Sequence, residues 1–137
     1  MEIKEAMPIV VEEAKKLGYN LNEMAISGGS AGGTLAMLYA YMDADKSPIP
    51  VKMMFEMVGP ASFFAEDWDT YGLDKNNEAA AGLSARHLVN ALEENNVDYK
   101  YFEASHSGHG LQNDDKIYQE CMDTVVEYLD KYMPVEK

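Results

Sequence analysis

The sequence predicts an α/β protein, a small three-layer arrangement in which a parallel sheet of about three strands is flanked by helices. Short apolar runs alternate along the 137 residues with longer stretches whose apolar residues recur at helical spacing. Strands separated by helices are expected to pair in parallel, since a crossover between parallel strands needs about a dozen residues or more. The length fits a single domain covering residues 1–137, about half the size usual for an α/β enzyme.

Each expected element has its own signal in the sequence. A first helix is expected over residues 2–17, where Ile3, Met7 and Val10 fall on one face and Gly18 provides the stop. The other elements follow from apolar spacing and from flanking turn residues: a strand at 24–27, a helix at Ala31–Met42, a strand at 51–58 ended by Gly59 and Pro60, a helix capped by Ser84 that runs to Glu94, a strand at 97–104, and a last helix marked by Ile117, Cys121, Val125, Tyr128 and Tyr132.

Residues 61–82 are the least regular part of the chain and are rich in acidic and aromatic side chains. We expect them to form a loop or small cap over a functional site. An ordinary surface excursion anchored by its aromatic residues is an equally good interpretation.

Ser30 lies in the pentapeptide Gly-Gly-Ser-Ala-Gly at residues 28–32, where the first strand gives way to the second helix. A G-x-S-x-G sequence in that position is typical of a nucleophile elbow, a sharp turn that exposes the serine hydroxyl. The helix N-terminus that follows favours a developing oxyanion. The alternative is a glycine-rich turn that has no chemistry or binds a phosphate. The Gly-Lys-Ser/Thr ending of a phosphate loop and the G-x-G-x-x-G spacing of a dinucleotide site are both absent.

A second motif, His-Ser-Gly-His-Gly at residues 106–110, follows the last expected strand. Two histidines three residues apart indicate either a metal pair or a catalytic base on a loop. His87 and Cys121 complete no ligand pattern with them, so we expect no metal site. His109 is the candidate base, because its neighbours are small and it lies between a strand and a helix. His106 is expected to be structural.

Together, the Gly-Gly-Ser-Ala-Gly-Gly run and the His-Ser-Gly-His-Gly loop resemble the α/β-hydrolase superfamily, and within it bacterial esterase and lipase-like members. The resemblance covers nearly the whole chain. It implies a reduced α/β-hydrolase fold and a carboxylesterase-type activity that needs no cofactor. By the same resemblance Ser30 matches the nucleophile, His109 the general base, and the backbone N–H of Ala31 one half of the oxyanion hole.

Two parts of the family pattern have no match, so we expect a truncated and internally shortened member. The family's longer N-terminal half carries a loop that donates the second oxyanion N–H, and this chain has no such loop. Where the strand before the triad acid should fall, only Gly82 and Leu83 are available. The alternative function is therefore a catalytically impaired remnant that folds or assembles without useful turnover.

If the triad is complete, its acid should lie on a loop at the carboxyl end of a strand. The loop after residues 51–58 offers Glu66, Asp67 and Asp69, of which we favour Asp67. The competing interpretation is that all three are solvated surface acids. Asp114 and Asp115 are expected to cap the last helix instead.

The amino-acid composition limits the kinds of partner that the chain is expected to bind. Eleven basic residues against 24 acidic ones give a net charge of −13, which argues against nucleic acids and anionic membrane surfaces. Small acyl esters with little or no charge are the expected substrates. Residues 1–18 carry charges throughout, unlike a signal peptide, and no run is long enough to span a bilayer. The single Cys121 suits a reducing cytoplasm and is expected to be a core residue.

The strand at residues 24–27 predicts self-association. In a full family member it would be flanked by strands that this chain lacks, and unpaired strand edges promote pairing with another chain. We therefore expect a homodimer or a higher closed oligomer that covers this edge. The alternative is a monomer in which the helix at 2–17 folds over the exposed region.

Overall fold

The computed structural model describes residues 3–62, 77–104, 110–111 and 113–135. Within them the chain forms four α-helices, two strands and one short 3₁₀ turn. In chain order these are α1 (Ile3–Lys16), β1 (Met24–Gly29), α2 (Ala31–Met42), the 3₁₀ turn (Ala44–Lys46), β2 (Val51–Met57), α3 (Asn77–Glu94) and α4 (Asp115–Tyr132). The expected α/β class, with a small parallel sheet and flanking helices, is confirmed.

The two strands are parallel neighbours, with Gly28 opposite Glu56 and Gly29 opposite Met57. Helix α2 connects them and packs against both. This β1–α2–β2 unit was anticipated closely, because α2 has the bounds that its apolar spacing predicted. The carboxyl ends of both strands therefore meet at one edge of the sheet, where the chain enters α2.

The core lies between α2 and the strands. Its buried apolar side chains come from α2, from the segment that leads into β2, from β2 itself and from the last turn of α3: Ala36, Met37, Tyr39, Ile49, Met53 and Leu92. Helix α2 is apolar on its outer side as well, where Leu35, Leu38 and Met42 are 51%, 46% and 69% exposed. A helix that is apolar all round is ordinarily buried all round. In the described part of the chain, α2 is covered on one side only.

Helix α1 ends as predicted at Gly18, whose φ of 91° is a conformation that favours glycine. The amide of Gly18 donates to the carbonyl of Lys15, and the amide of Tyr19 donates to that of Ala14. This is the Schellman arrangement, which satisfies carbonyls at the end of a helix. No residue of α1 is fully buried, and Val10, on the apolar face that the sequence indicated, is 49% exposed.

Helix α3 begins at Asn77, seven residues before the expected cap at Ser84. The prediction of Ser84 as the N-terminal cap was therefore wrong, and residues 77–82, assigned to the possible cap loop, are helical. Residues 63–76 of that loop lie outside the described residues. The helix ends as expected at Asn95 and Asn96, with Asn96 at a φ of 52° and the Val97 amide bonded to the Leu92 carbonyl.

The third expected strand does not form in the described segment 97–104, which has no regular secondary structure. Side-chain contacts to α4 hold its start instead. The Asp98 carboxylate accepts hydrogen bonds from the hydroxyls of Tyr128 (2.9 Å) and Tyr132 (2.6 Å) and from the Lys131 ammonium (2.5 Å). These contacts satisfy the side chain of Asp98 but provide no backbone partner, so the apolar composition that predicted a strand was not sufficient.

Helix α4 begins as predicted, with the Asp114 side chain accepting a hydrogen bond of 3.2 Å from the Ile117 amide. It packs against β2. Among the described helices, α1 to α4, none combines the length and the apolar character that crossing a bilayer requires.

Candidate active site

Ser30 occupies the single residue between the end of β1 and the start of α2. Its backbone has φ 52° and ψ −128°, a conformation that side-chain-bearing residues rarely adopt and that costs of the order of 1–3 kcal/mol. The surroundings fix it from both sides. The Ser30 amide donates to the Met57 carbonyl at 2.9 Å, and the Ser30 carbonyl accepts from the amides of Gly33 (2.9 Å) and Thr34 (3.3 Å).

The Ser30 hydroxyl makes no hydrogen bond that caps α2, although Ser30 stands at the capping position. A serine there ordinarily accepts from an amide of the first turn. The strained backbone turns the side chain away from that role. The hydroxyl is thus not engaged by the helix that follows it, and the side chain is only half-buried.

The first turn of α2 lies directly after Ser30 and begins with Ala31, which is exposed. The first amides of a helix have no partner within the helix, and the helix dipole adds positive potential there. The Ala31 N–H therefore belongs to the electropositive end of α2, next to Ser30.

The motif glycines make this turn possible because they let neighbouring backbone segments approach each other closely. A Cβ placed on Gly28 would lie 2.1 Å from the carbonyl oxygen of Gly32, which no side chain could tolerate. A Cβ on Gly33 would lie 3.0 Å from a carboxylate oxygen of Glu56 and 3.1 Å from the Cα of Gly59. The motif glycines thus let β1, the first turn of α2 and the end of β2 come into direct contact.

Glu56 was not identified from the sequence as part of this site. It lies in β2, and its Oε2 accepts a hydrogen bond of 2.7 Å from the Gly59 amide. Burial raises the pKa of Glu56, while that hydrogen bond lowers it in part. The one acid in a strand whose only other charged residue is Lys52, just before a Gly-Pro turn, was the signal that could have drawn attention to it.

Thr34 connects the turn after β2 to the first turn of α2. Its hydroxyl donates to the carbonyl of Pro60 at 2.7 Å. The turn after β2 is therefore held at two neighbouring residues, to β2 by the Glu56–Gly59 hydrogen bond and to α2 by the Thr34–Pro60 hydrogen bond.

Of the predicted site residues, the structure describes two, Ser30 and Ala31, which are neighbours in the sequence. His109 and the favoured acid Asp67 lie outside the described residues, as do the alternative acids Glu66 and Asp69 and the second histidine, His106.

Within the ranges that the structure describes, no group of three or more His, Cys, Asp or Glu side chains is arranged to hold a metal ion. Cys121 lies on α4 and is half-buried rather than in the core. Burial, with a smaller contribution from Glu120, raises the pKa of its thiol. A thiol with a raised pKa is a poor nucleophile at neutral pH.

In a comparison with known protein families, the family model described as BD-FAE matches residues 1–77, more than half of the 137-residue chain. The matched range contains β1, the Ser30 turn, α2 and β2. Neither the curated proteins nor the solved structures gave a significant match.

Proposed function

The chain belongs to the BD-FAE family, which is an α/β-hydrolase-like esterase family, and on this basis we propose that it is a serine ester hydrolase. Family membership indicates hydrolase or esterase chemistry in general terms. The observation that supports a serine nucleophile is the strained turn at Ser30, with φ 52° and ψ −128° and a hydroxyl that does not cap α2.

In the proposed reaction the Ser30 hydroxyl attacks the acyl carbonyl while His109 takes its proton. The carbonyl oxygen becomes negatively charged and is stabilised by the Ala31 N–H at the start of α2. As the tetrahedral intermediate collapses, the bond to the leaving alkoxide breaks and His109 returns the proton to it. Water, activated by the same histidine, then releases the acid from the acyl-enzyme. No cofactor takes part.

Asp67 is proposed as the group that orients the imidazole of His109. The support is its place in the sequence shortly after β2, which ends at Met57, since ligands of open parallel sheets bind beyond the carboxyl ends of the strands. An orienting acid commonly raises the rate by about 10⁴. Asp67→Asn should then lower kcat by orders of magnitude without changing the extent of serine labelling.

The substrate is proposed to be a small acyl ester with little or no charge. The support is the net charge of −13, which repels anions at the surface.

We also propose that the chain works as a homodimer or higher oligomer in the cytoplasm. The support lies in β1 and α2: β1 has a strand neighbour on one side only in the described sheet, and Leu35, Leu38 and Met42 leave the outer face of α2 apolar and exposed. An unpaired edge beside an apolar face is a favourable surface for association.

The decisive experiment is reaction with a fluorophosphonate probe, followed by intact-mass measurement. We expect one adduct per chain in the wild-type protein and none in Ser30→Ala. Hydrolysis of a short-chain aryl ester should fall strongly in both Ser30→Ala and His109→Ala. Equal rates in all three proteins would contradict the proposal and favour the impaired remnant.

A further inference from the structure

Glu56 lies between the turn after β2 and the first turn of α2, the two segments that contact the Ser30 turn. Its position in β2 is opposite Gly28, and the next residue, Met57, accepts the hydrogen bond from the Ser30 amide. Its carboxylate reaches beyond the strand to the Gly59 amide at 2.7 Å. One side chain thus contacts the turn after β2 from a strand position that adjoins Ser30.

The same carboxylate oxygen, Oε2, also lies close to Gly33 in the first turn of α2. A Cβ at Gly33 would lie 3.0 Å from Oε2, and a Cβ at Gly59 would lie 2.8 Å from the same oxygen. The carboxylate therefore fills the narrow space between the two glycines. Its position near a helix N-terminus is electrostatically favourable for a negative group.

We propose that Glu56 is a positioning residue for the nucleophile, holding the turn after β2 against the first turn of α2 and so fixing Ser30 and the Ala31 N–H relative to each other. It acts through Gly59 and Gly33 and does not touch the substrate. This inference rests on the proposed serine hydrolase function for its catalytic consequence.

The reason to assign Glu56 this role, rather than one of general stability, is the location of its contacts. Gly33, which it adjoins, donates to the carbonyl of Ser30 at 2.9 Å. A shift of the Gly33 backbone therefore shifts a direct partner of the strained residue. Misplacement of a reacting group by about 1 Å can cost as much as 100-fold in rate.

Burial provides a second argument for a specific role. Glu56 is only partly accessible, and burial raises the pKa of its carboxyl. Keeping an acid in such a place is unfavourable unless its oxygens have partners. The partner here is one backbone amide of the turn after β2, which makes that hydrogen bond the feature to test.

The test compares Glu56→Gln with Glu56→Leu in the full-length protein. Glutamine keeps an oxygen that can accept from the Gly59 amide, whereas leucine of similar size does not. We expect the rate constant for fluorophosphonate labelling to stay close to wild type in Glu56→Gln. In Glu56→Leu it should fall by a factor between about 10 and 100, with kcat for ester hydrolysis falling in parallel and KM nearly unchanged.

A control variant separates positioning from stability. Asp98→Asn weakens contacts to α4 that include none of the residues around the Ser30 turn, so it should lower the melting temperature without changing the labelling rate of folded protein. If Glu56→Leu lowers the melting temperature but labels at the wild-type rate, the inference is overturned.

A second readout does not depend on activity. Hydrogen exchange measured by NMR should show faster exchange of the Gly59 and Ser30 amides in Glu56→Leu, with protection kept in Glu56→Gln. If the wild-type protein is not labelled at all, the proposed function fails, while the exchange data still decide the role of Glu56. Unchanged exchange of both amides in Glu56→Leu would refute it.

If Glu56→Leu does not fold, Gly59→Ala applies the same test from the opposite side. Its Cβ would lie 2.8 Å from the Glu56 carboxylate and 3.0 Å from the carbonyl carbon of Gly33, so the two segments must separate. We expect slower labelling and faster exchange of the Ser30 amide in that variant. Wild-type values for both would overturn the inference.

Discussion

The Ser30 amide and the Met57 carbonyl are joined by a hydrogen bond of 2.9 Å, one residue beyond the end of β1. The contact between β1 and β2 therefore continues into the turn itself. It holds the backbone of Ser30 at the point where the chain reverses into α2. A strained residue persists only where its surroundings determine it in this way.

Replacing Ser30 should reveal that strain. In Ser30→Gly the positive φ of 52° is no longer unfavourable, whereas Ser30→Ala keeps the penalty. We expect the glycine variant to have a free energy of unfolding about 1 kcal/mol higher than the alanine variant. Urea denaturation of both proteins measures the difference. A glycine variant less stable than the alanine variant would show that the turn is not strained.

Gly28 and Gly32 make a matched pair for testing the close approach of β1 and α2. A Cβ at Gly28 would lie 2.1 Å from a backbone oxygen, while one at Gly32 meets nothing within 4 Å. Gly28→Ala should therefore lose about 3 kcal/mol or more. Gly32→Ala should be neutral or gain up to about 1 kcal/mol from helix propensity. Thermal unfolding compares them, and similar losses in both would contradict this geometry.

Asp98 should make the free energy of unfolding depend on pH in the acid range. Hydrogen bonds lower the pKa of its carboxyl below the ordinary value of 3.8. The largest contribution comes from Lys131, followed by Tyr132 and then Tyr128. A carboxyl with a lowered pKa in the folded state stabilises the fold above its unfolded pKa, and this contribution is lost as the pH falls. The stability advantage of wild type over Asp98→Asn should thus decline between about pH 5 and pH 1.

The control for Asp98 is Glu12→Gln on α1, where the carboxylate forms an exposed ion pair with Lys16 at 3.3 Å. Such a pair contributes little to stability. Denaturation curves across the acid range should show a nearly constant difference between this variant and wild type. An equally constant difference for Asp98→Asn would contradict the role assigned to the cluster.

The exposed side of α2 should govern assembly. Leu38→Lys places a charge in the centre of the apolar face and should shift an oligomer toward the 15.3 kDa of one chain. Val126→Lys on α4, where Val126 is 56% exposed, is the matched control and should leave the mass unchanged. Light scattering over a wide concentration range measures both. If the wild-type protein has the mass of one chain at every concentration, the proposed oligomer is ruled out.

Sequence reasoning anticipated the β1–α2–β2 unit well because its signals are local. The glycines around Ser30, the apolar spacing of α2 and the Gly-Pro after β2 each act within a few residues. The position of Ser30 between strand and helix followed directly. The turn residues Gly18 and Asn96 also indicated where α1 and α3 end, since both adopt the positive φ that such helix ends require.

Other features depended on contacts between distant parts of the chain. The segment at 97–104 has the composition of a strand, but hydrogen bonds from α4 to Asp98 cross 30 or more residues and provide no strand partner. The role of Glu56 depends on the register that sets it opposite Gly28 and on its approach to Gly33. Neither the register nor the approach can be derived from periodicity alone.

The ties around Ser30 all fall within one short stretch of chain, and the longest, from the Ser30 amide to the Met57 carbonyl, spans only 27 residues. Contacts of low sequence separation form quickly, and chains fold from the N-terminal side as they leave the ribosome. The turn that presents Ser30 can therefore take shape during synthesis, before the residues of α4 exist. A nascent chain would then carry Ser30 in its final backbone conformation while the supporting C-terminal half is still being translated.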